Sequence, residues 1–121
     1  MLFRSSHSDL VTKVIADFAA FKGIKQRPVM DEAEIIDRVL LPVVNEGAKV
    51  LGEGIALRAS DVDVVAILGY AWPVYRGGPM FWAEQIGLQN VVAKLRALEA
   101  EHGPAFAPCD YLLEKAESGR F

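Results

Sequence analysis

Cysteine occurs once in the 121 residues, at Cys109, so no disulfide can close within the chain and a reducing, cytoplasmic compartment is expected. Histidine occurs twice, at His7 and His102, far apart in sequence, and with a single cysteine the two do not complete a zinc ligand set. No metal site is expected. No apolar run reaches the length of a membrane span, and Met1 to Ser6 carry one arginine and no apolar leader segment, so neither secretion nor membrane embedding is expected. Blocks of like charge are missing too. The formal net charge is -3, the sequence pI is about 5.3, and acids and bases are interspersed, which argues against nucleic acid and anionic membranes as partners. No stretch keeps the strict two-residue alternation of a half-buried strand. A dinucleotide-binding glycine fingerprint is also lacking. Gly52-Glu53-Gly54 begins like one, but Leu57 stands where the third glycine would be, and a helix pattern precedes it.

What is present is a globular composition, 52% hydrophobic and 24% charged, in a length that suits one domain. Ser6 to Phe21 reads as a helix capped by Ser6 or Ser8. Leu10, Val11, Val14, Ile15, Phe18 and Phe21 form its apolar stripe, and Gly23 ends it. A linker from Ile24 to Met30, containing Pro28, leads to Asp31 and Glu34, a capping-box-like start. Ile35, Ile36, Val39, Leu40, Val43, Val44, Ala48, Val50 and Leu51 then give a wide apolar face, predicted to be the spine of the core. Pro42 inside it predicts a kink or break near Asp37 to Leu41. A third helix, Val62 to Leu68, capped by Ser60 or Asp61, is apolar enough to predict burial almost all round. Pro79 to Ile86 follows, then a helix carrying Leu88, Val91, Val92, Leu95 and Leu98 that exits through His102-Gly103-Pro104. A short helix from Asp110 through Glu117 closes the chain. The fold class is therefore all-α, with five or six helices.

The least helix-like stretch is Gly69 to Phe81. Tyr70, Trp72 and Tyr75 share it with Pro73, Gly77, Gly78, Pro79 and one charge, Arg76, whereas an ordinary surface connector is short and polar. Arg76, Gly77 and Gly78 ahead of a helix beginning at Pro79 describe an anion pocket, because open backbone N–H groups and a guanidinium would converge there. The alternative is a tight turn in which Arg76 pairs with Glu84 or Glu46. Glu46 and Glu53 share a helical face, as do Asn45 and Lys49, an arrangement more typical of solvated acids than of a catalytic pair. Cys109 precedes a helix but has no basic cluster to activate it and reads as a small core residue. His7 and His102 read as surface or capping residues. No catalytic, cofactor-binding or metal-binding residue emerges from this inventory.

Three runs carry a resemblance. Leu40 to Ala48 (LLPVVNEGA), Glu53 to Asp63 (EGIALRASDVD) and Tyr75 to Ala83 (YRGGPMFWA) resemble, in order and spacing, the C-terminal helical domain of 3-hydroxyacyl-CoA dehydrogenases. The pattern is most similar to the last such domain of the multifunctional fatty-acid oxidation α subunit. The resemblance is best over residues 31–121, with residues 1–30 an N-terminal helix and linker of the same single domain. It implies a 6-phosphogluconate dehydrogenase C-terminal-like helical fold, used for dimerisation or packed as a second copy against a first. It also implies a parent reaction, NAD-dependent oxidation of a 3-hydroxyacyl-CoA, whose His-Glu pair lies on a separate nucleotide-binding domain.

The first helical copy in that family carries an active-site Asn before an Arg. Here the dipeptide is Asp37-Arg38, and an aspartate lacks the amide donor. Gly78-Pro79-Met80-Phe81 likewise suits the second copy. The resemblance therefore implies a structural and assembly module with no cofactor of its own, NAD belonging to the parent enzyme. Asn45, Glu46, Tyr70, Trp72, Tyr75, Arg76, Gly77, Gly78 and Pro79 are its interface or ligand-adjacent candidates. Its expected partners are other domains or subunits of a fatty-acid oxidation enzyme or a second copy, with acyl-CoA touched at most indirectly. Two other expectations stay open: a stand-alone protein binding acyl-CoA or a phosphate group through Arg76 and the helix start at Gly77-Gly78, and a complete small enzyme.

Overall fold

In the computed structural model, which describes residues 8–27 and 29–121, glycine and proline punctuate six α-helices: α1 (Asp9–Lys22), α2 (Glu32–Gly52), α3 (Ala59–Gly69), α4 (Pro79–Ile86), α5 (Leu88–His102) and α6 (Asp110–Ser118). Short 3-10 turns, Val74–Arg76 and Pro104–Phe106, precede α4 and α6. The fold is all-α, and no strand occurs among the described residues. The expected cap at Ser6, the reading of Met1 to Ser6, His7 and Pro28 lie outside them.

The chain divides into two compact units, Met1–Asp31 and Glu32–Phe121. In the first, α1 ends as its sequence predicts: Gly23 takes the left-handed conformation, φ 66°, and its N–H reaches the carbonyls of Ala19 and Ala20. Ser8 occupies the N-cap position without a side-chain cap bond. The apolar stripe from Leu10 to Phe21 is exposed, with the Lys22 ammonium over the rings of Phe18 and Phe21. Ala19 is the buried residue of this helix.

The second unit is built around α2, which runs through Pro42 as one continuous 21-residue helix, so the predicted break does not occur. Leu41, Val44 and Ala48 are fully buried and meet Met80 of α4, Leu88, Val91 and Leu95 of α5, and Leu112 of α6 in one core. Gly47 permits a close approach. A Cβ there would stand 2.6 Å from the Met80 methyl and 3.0 Å from a Val62 methyl, so a side chain at this position would require the Met80 thioether to move aside. The α5 stripe is buried at all five predicted positions, Leu88, Val91, Val92, Leu95 and Leu98.

Polar clasps fix the remaining helices. Buried Asn45 donates to the Ala107 carbonyl at 2.9 Å and accepts the Cys109 N–H at 2.9 Å, tying α2 to the segment that starts α6. The Cys109 thiol donates to the Asn45 carbonyl at 3.7 Å, and Cys109 rather than Asp110 is the N-cap of α6. Lys94 of α5 holds both oxygens of Asp37 on α2, at 3.0 and 2.8 Å.

Two burial expectations are corrected. α3 is not covered all round: Ala66 is buried, while Val64, Val65 and Leu68 are exposed, because α3 packs on α2 and α4 along one side only. On α2, Ile35, Val39 and Val43 are exposed as well, so the wide apolar face of that helix is half core and half surface. The α3 cap also shifts. Arg58 is the N-cap, and Asp61, three residues on, accepts its backbone N–H at 3.2 Å and its guanidinium at 2.8 Å.

Candidate functional site

The stretch from Tyr70 to Pro79 is a loop whose shape is set from inside. α3 ends with the N–H groups of Tyr70 and Trp72 both reaching the Ala66 carbonyl, at 3.1 and 3.2 Å, a geometry that puts Ala71 at φ 54°. That region suits glycine, and an alanine there is strained. The turn directs the Trp72 indole inward, 5% exposed, where it meets Trp82 at 5.8 Å between ring centroids and 60° between planes. Its indole N–H is buried without a hydrogen-bond partner.

Beyond Pro73, Arg76 lies with its guanidinium 5.4 Å from the Tyr75 ring and 5.7 Å from that of Trp82. Among the described residues it makes no ion pair. The two acids expected as its partners are engaged elsewhere: Glu46 pairs with Lys49, and Glu84 accepts the Phe121 N–H at 2.9 Å. Cation-π contact is what holds Arg76.

The start of α4 is already filled by an internal carboxylate. Gly78, at φ 98°, is the N-cap and has no side chain to offer, and Asp63 of α3 takes that role from across the interface. Its oxygens accept the N–H of Met80 at 2.7 Å and of Phe81 at 3.2 Å. A Cβ on Gly78 would fall 2.5 Å from the Asp63 side chain. Burial raises the Asp63 carboxyl above its ordinary pKa, the two N–H donors pull it down, and the charge of Glu84 pushes it up again. Asp63 was not legible as a site residue because its partners lie 17 and 18 positions away and neither end of the contact has a local motif.

Exposed apolar side chains lie outside this cap: Tyr70 and Tyr75 are 80% and 84% exposed, and Leu57, Leu68 and Val74 are exposed as well. Between α2 and α3 runs an open groove of about 1050 Å³, lined by Val39, Val43, Val65, Tyr70 and the edge of Trp72 among others. Glu46 and Asp61 are the charged residues of its lining. The candidates thus separate. Trp72, Gly77, Gly78 and Pro79 belong to the internal frame; Tyr70, Tyr75 and Glu46 face outward; Asn45 clasps α6.

The other residues weighed for chemistry are absorbed by structure. Asp37 is held by Lys94, and Arg38 lies 3.6 Å from Glu34. Lys49 has a raised pKa, chiefly from its bond to Glu46, with Cys109 and Glu53 adding smaller attractions. Asp61 is lowered by Arg58. His102 is not a plain surface residue, since its ring packs 5.8 Å from Phe106. No cluster of three or more metal-ligating side chains occurs among the described residues. No helix among them is long and apolar enough to cross a membrane.

Comparison with known proteins yields a family and a set of relatives. A family model described as 3-hydroxyacyl-CoA dehydrogenase, C-terminal domain, matches residues 35–121. The glyoxysomal fatty acid beta-oxidation multifunctional protein MFP-a of Cucumis sativus is 41% identical over 90 residues, 74% of this chain and 12% of that protein. The peroxisomal fatty acid beta-oxidation multifunctional protein AIM1 of Arabidopsis thaliana is 43% identical over 97 residues, 80% of this chain and 13% of that protein. The peroxisomal bifunctional enzyme of Homo sapiens is 36% identical over 111 residues, 90% of this chain and 15% of that protein. The chain therefore spans less than a sixth of the length of each of these relatives. Their names place them in peroxisomes and glyoxysomes, which overturns the cytoplasmic expectation. A single cysteine was weak ground for a compartment, since organelle addresses are read by receptors and leave no trace in composition.

Proposed function

Because the chain belongs to the 3-hydroxyacyl-CoA dehydrogenase C-terminal domain family, we propose that it is the helical assembly module of a fatty-acid beta-oxidation enzyme and carries out no step of the chemistry itself. In this reading the parent reaction is NAD-dependent oxidation of a 3-hydroxyacyl-CoA. Nicotinamide and acyl-CoA are held on other domains, and this chain docks against those domains or against a second copy. The compartment that goes with it is that of the named relatives, the peroxisome or glyoxysome.

One observation carries the reading: a loop rigidly framed by Trp72, Trp82, Arg76 and Asp63 presents Tyr70 and Tyr75 outward beside an uncovered apolar groove. Fixed shape with exposed aromatic and aliphatic surface is what an interface core needs. The inventory of reactive groups supports it from the other side, since Asp37, Glu46 and Cys109 each serve a structural contact.

Sedimentation equilibrium tests it. Concentration-dependent association of the purified chain is expected, together with no NADH from incubation with a 3-hydroxyacyl-CoA and NAD. A monomer at every concentration with a fully mobile loop, or turnover above a blank, would overturn it. The second reading, a protein binding acyl-CoA or phosphate through Arg76 and Gly77-Gly78, has the cation-π seat of Arg76 in its favour only if the ring contacts open. Against it stands Asp63, which already occupies the N–H groups an anion would use. Titrating coenzyme A into the chain in a calorimeter separates the two: silence supports assembly, and binding lost in Arg76→Ala supports the ligand.

A further inference from the structure

The apolar stripe of α1 takes no part in the core, and its positions are those of a coiled-coil seam. Val11, Val14, Phe18 and Phe21 follow one another at spacings of three, four and three, the a and d positions of two heptads, and each is more than half exposed. Leu10 and Ile15, also more than half exposed, flank that seam at g and e. Ala19, the buried residue of the helix, falls at b, off the seam. What the stripe lacks is a second apolar face of the same spacing.

The polar positions decide what brings that face. Asp9, Lys13, Asp17 and Lys22 are the charges of α1, two of each sign, so the helix lacks the basic polar face that seats an amphipathic helix on an anionic membrane. None of the four makes an ion pair among the described residues. Lys13, one turn before Asp17, leaves it unengaged, and the Lys22 ammonium rests over the Phe18 and Phe21 rings at the margin of the seam. Asp17 lies at g and Lys22 at e. In two parallel, in-register helices a g residue meets the e residue five positions on in its neighbour. Leu10 then meets Ile15 of a second copy, and Asp17 meets its Lys22, so both flanking pairs match, apolar with apolar and acid with base. Turned antiparallel, g flanks g and e flanks e, and no acid meets a base across the seam.

We propose that α1 is a self-pairing helix: two copies of this chain join through α1 as a parallel two-stranded coil, with Asp17 of each copy set against Lys22 of the other. The contact goes beyond the docking assigned to the loop and does not rest on it. Two heptads hold a pair only weakly, so the pairing shows at high protein concentration.

Disulfide trapping of the full chain in a Cys109→Ser background tests it. Val14→Cys, on the seam, should form an interchain disulfide at least about tenfold faster than Ala16→Cys on the outer side of the helix. Val11→Cys should link to itself and not to Phe21→Cys, as parallel register requires. Asp17→Lys and Lys22→Asp chains, each also carrying Val14→Cys, should link to one another in at least about tenfold preference to themselves, read by mass spectrometry of the linked dimers. Equal linking at Val14 and Ala16, an antiparallel Val11-to-Phe21 link, or no preference between the two charge variants would each overturn the proposal. Sedimentation of the same chains separates it from the assembly reading. Association of native strength without these link patterns sinks the pairing and leaves the loop reading standing. The patterns intact in a chain whose association ignores Tyr75→Ala and Leu68→Asp sink the loop reading and leave the pairing.

Discussion

Asp63 and Met80 meet at 2.7 Å, carboxylate to backbone N–H, and through that contact α3 supplies the cap that α4 cannot supply for itself. Gly78, the N-cap, has no side chain, and it has none because Asp63 stands where its Cβ would be. The consequence is a coupled pair. Asp63→Ala should cost about 1–2 kcal/mol by leaving the N–H groups of Met80 and Phe81 to water. Gly78→Ala should cost about 1–3 kcal/mol from strain at φ 98° and the collision. In the double variant the collisions with the Asp63 Cγ and Oδ1 disappear while that with its Cβ, also 2.5 Å away, remains, so its loss should fall modestly short of the sum. Urea unfolding of the four proteins measures this coupling, and strict additivity would refute it.

The same carboxylate gives the fold a pH dependence of stated sign. Burial raises the folded pKa of Asp63, so the folded chain binds the proton more readily than the unfolded one. Its contribution to stability is complete below the unfolded value of about 3.9 and is lost as pH rises through the folded value. Asp61, lowered by Arg58, runs the other way. Its contribution is present above the unfolded value and lost as pH falls through the folded one. The stability of the native protein relative to Asp63→Asn should therefore decline between pH 4 and the neutral range. Chemical denaturation of both proteins across this range, with an NMR titration of the Asp63 carboxyl, checks the sign.

Ala71 is the described non-glycine residue at positive φ, 54°. A left-handed alanine costs about 1–2 kcal/mol, and glycine gives back roughly half through its greater unfolded freedom. Ala71→Gly should thus raise the melting temperature slightly. Ala48→Gly, at a fully buried helical position, should lower it. If both changes lowered it equally, the strain at Ala71 would have no energetic content.

Asn45 is the other point at which one side chain spans distant segments. Asn45→Ala removes the bonds to Ala107 and Cys109 and should cost about 2–3 kcal/mol, with amide exchange in α6 accelerated more than in α3. Uniform acceleration across the unit would mean that the clasp is not local.

How much of this the sequence discloses depends on the range of the interaction. The α5 stripe was legible residue by residue because helix period and burial coincide there, and Gly23 was legible as the end of α1 because left-handed caps are a local event. α3 misled. Val64, Val65 and Leu68 are as apolar as core residues, and nothing in a periodicity tells a face covered by its own chain from one left open. Asp63 and Arg76 were beyond reach for a different reason. A carboxylate capping a helix 17 positions later, and a guanidinium settled on two rings rather than on Glu84 or Glu46, follow from the packing of α3 and α4 and not from any neighbour in sequence.

The central claim is that the outward side of this loop and the adjoining α3 surface are where the molecule docks. Tyr75→Ala combined with Leu68→Asp alters two exposed side chains and no internal hydrogen bond or ring pair except the Arg76–Tyr75 contact. Sedimentation equilibrium of this variant beside the native chain is the direct measurement. An association constant weakened by about a hundredfold at an unchanged melting temperature is the predicted result. Association of native strength in the double variant would contradict the account.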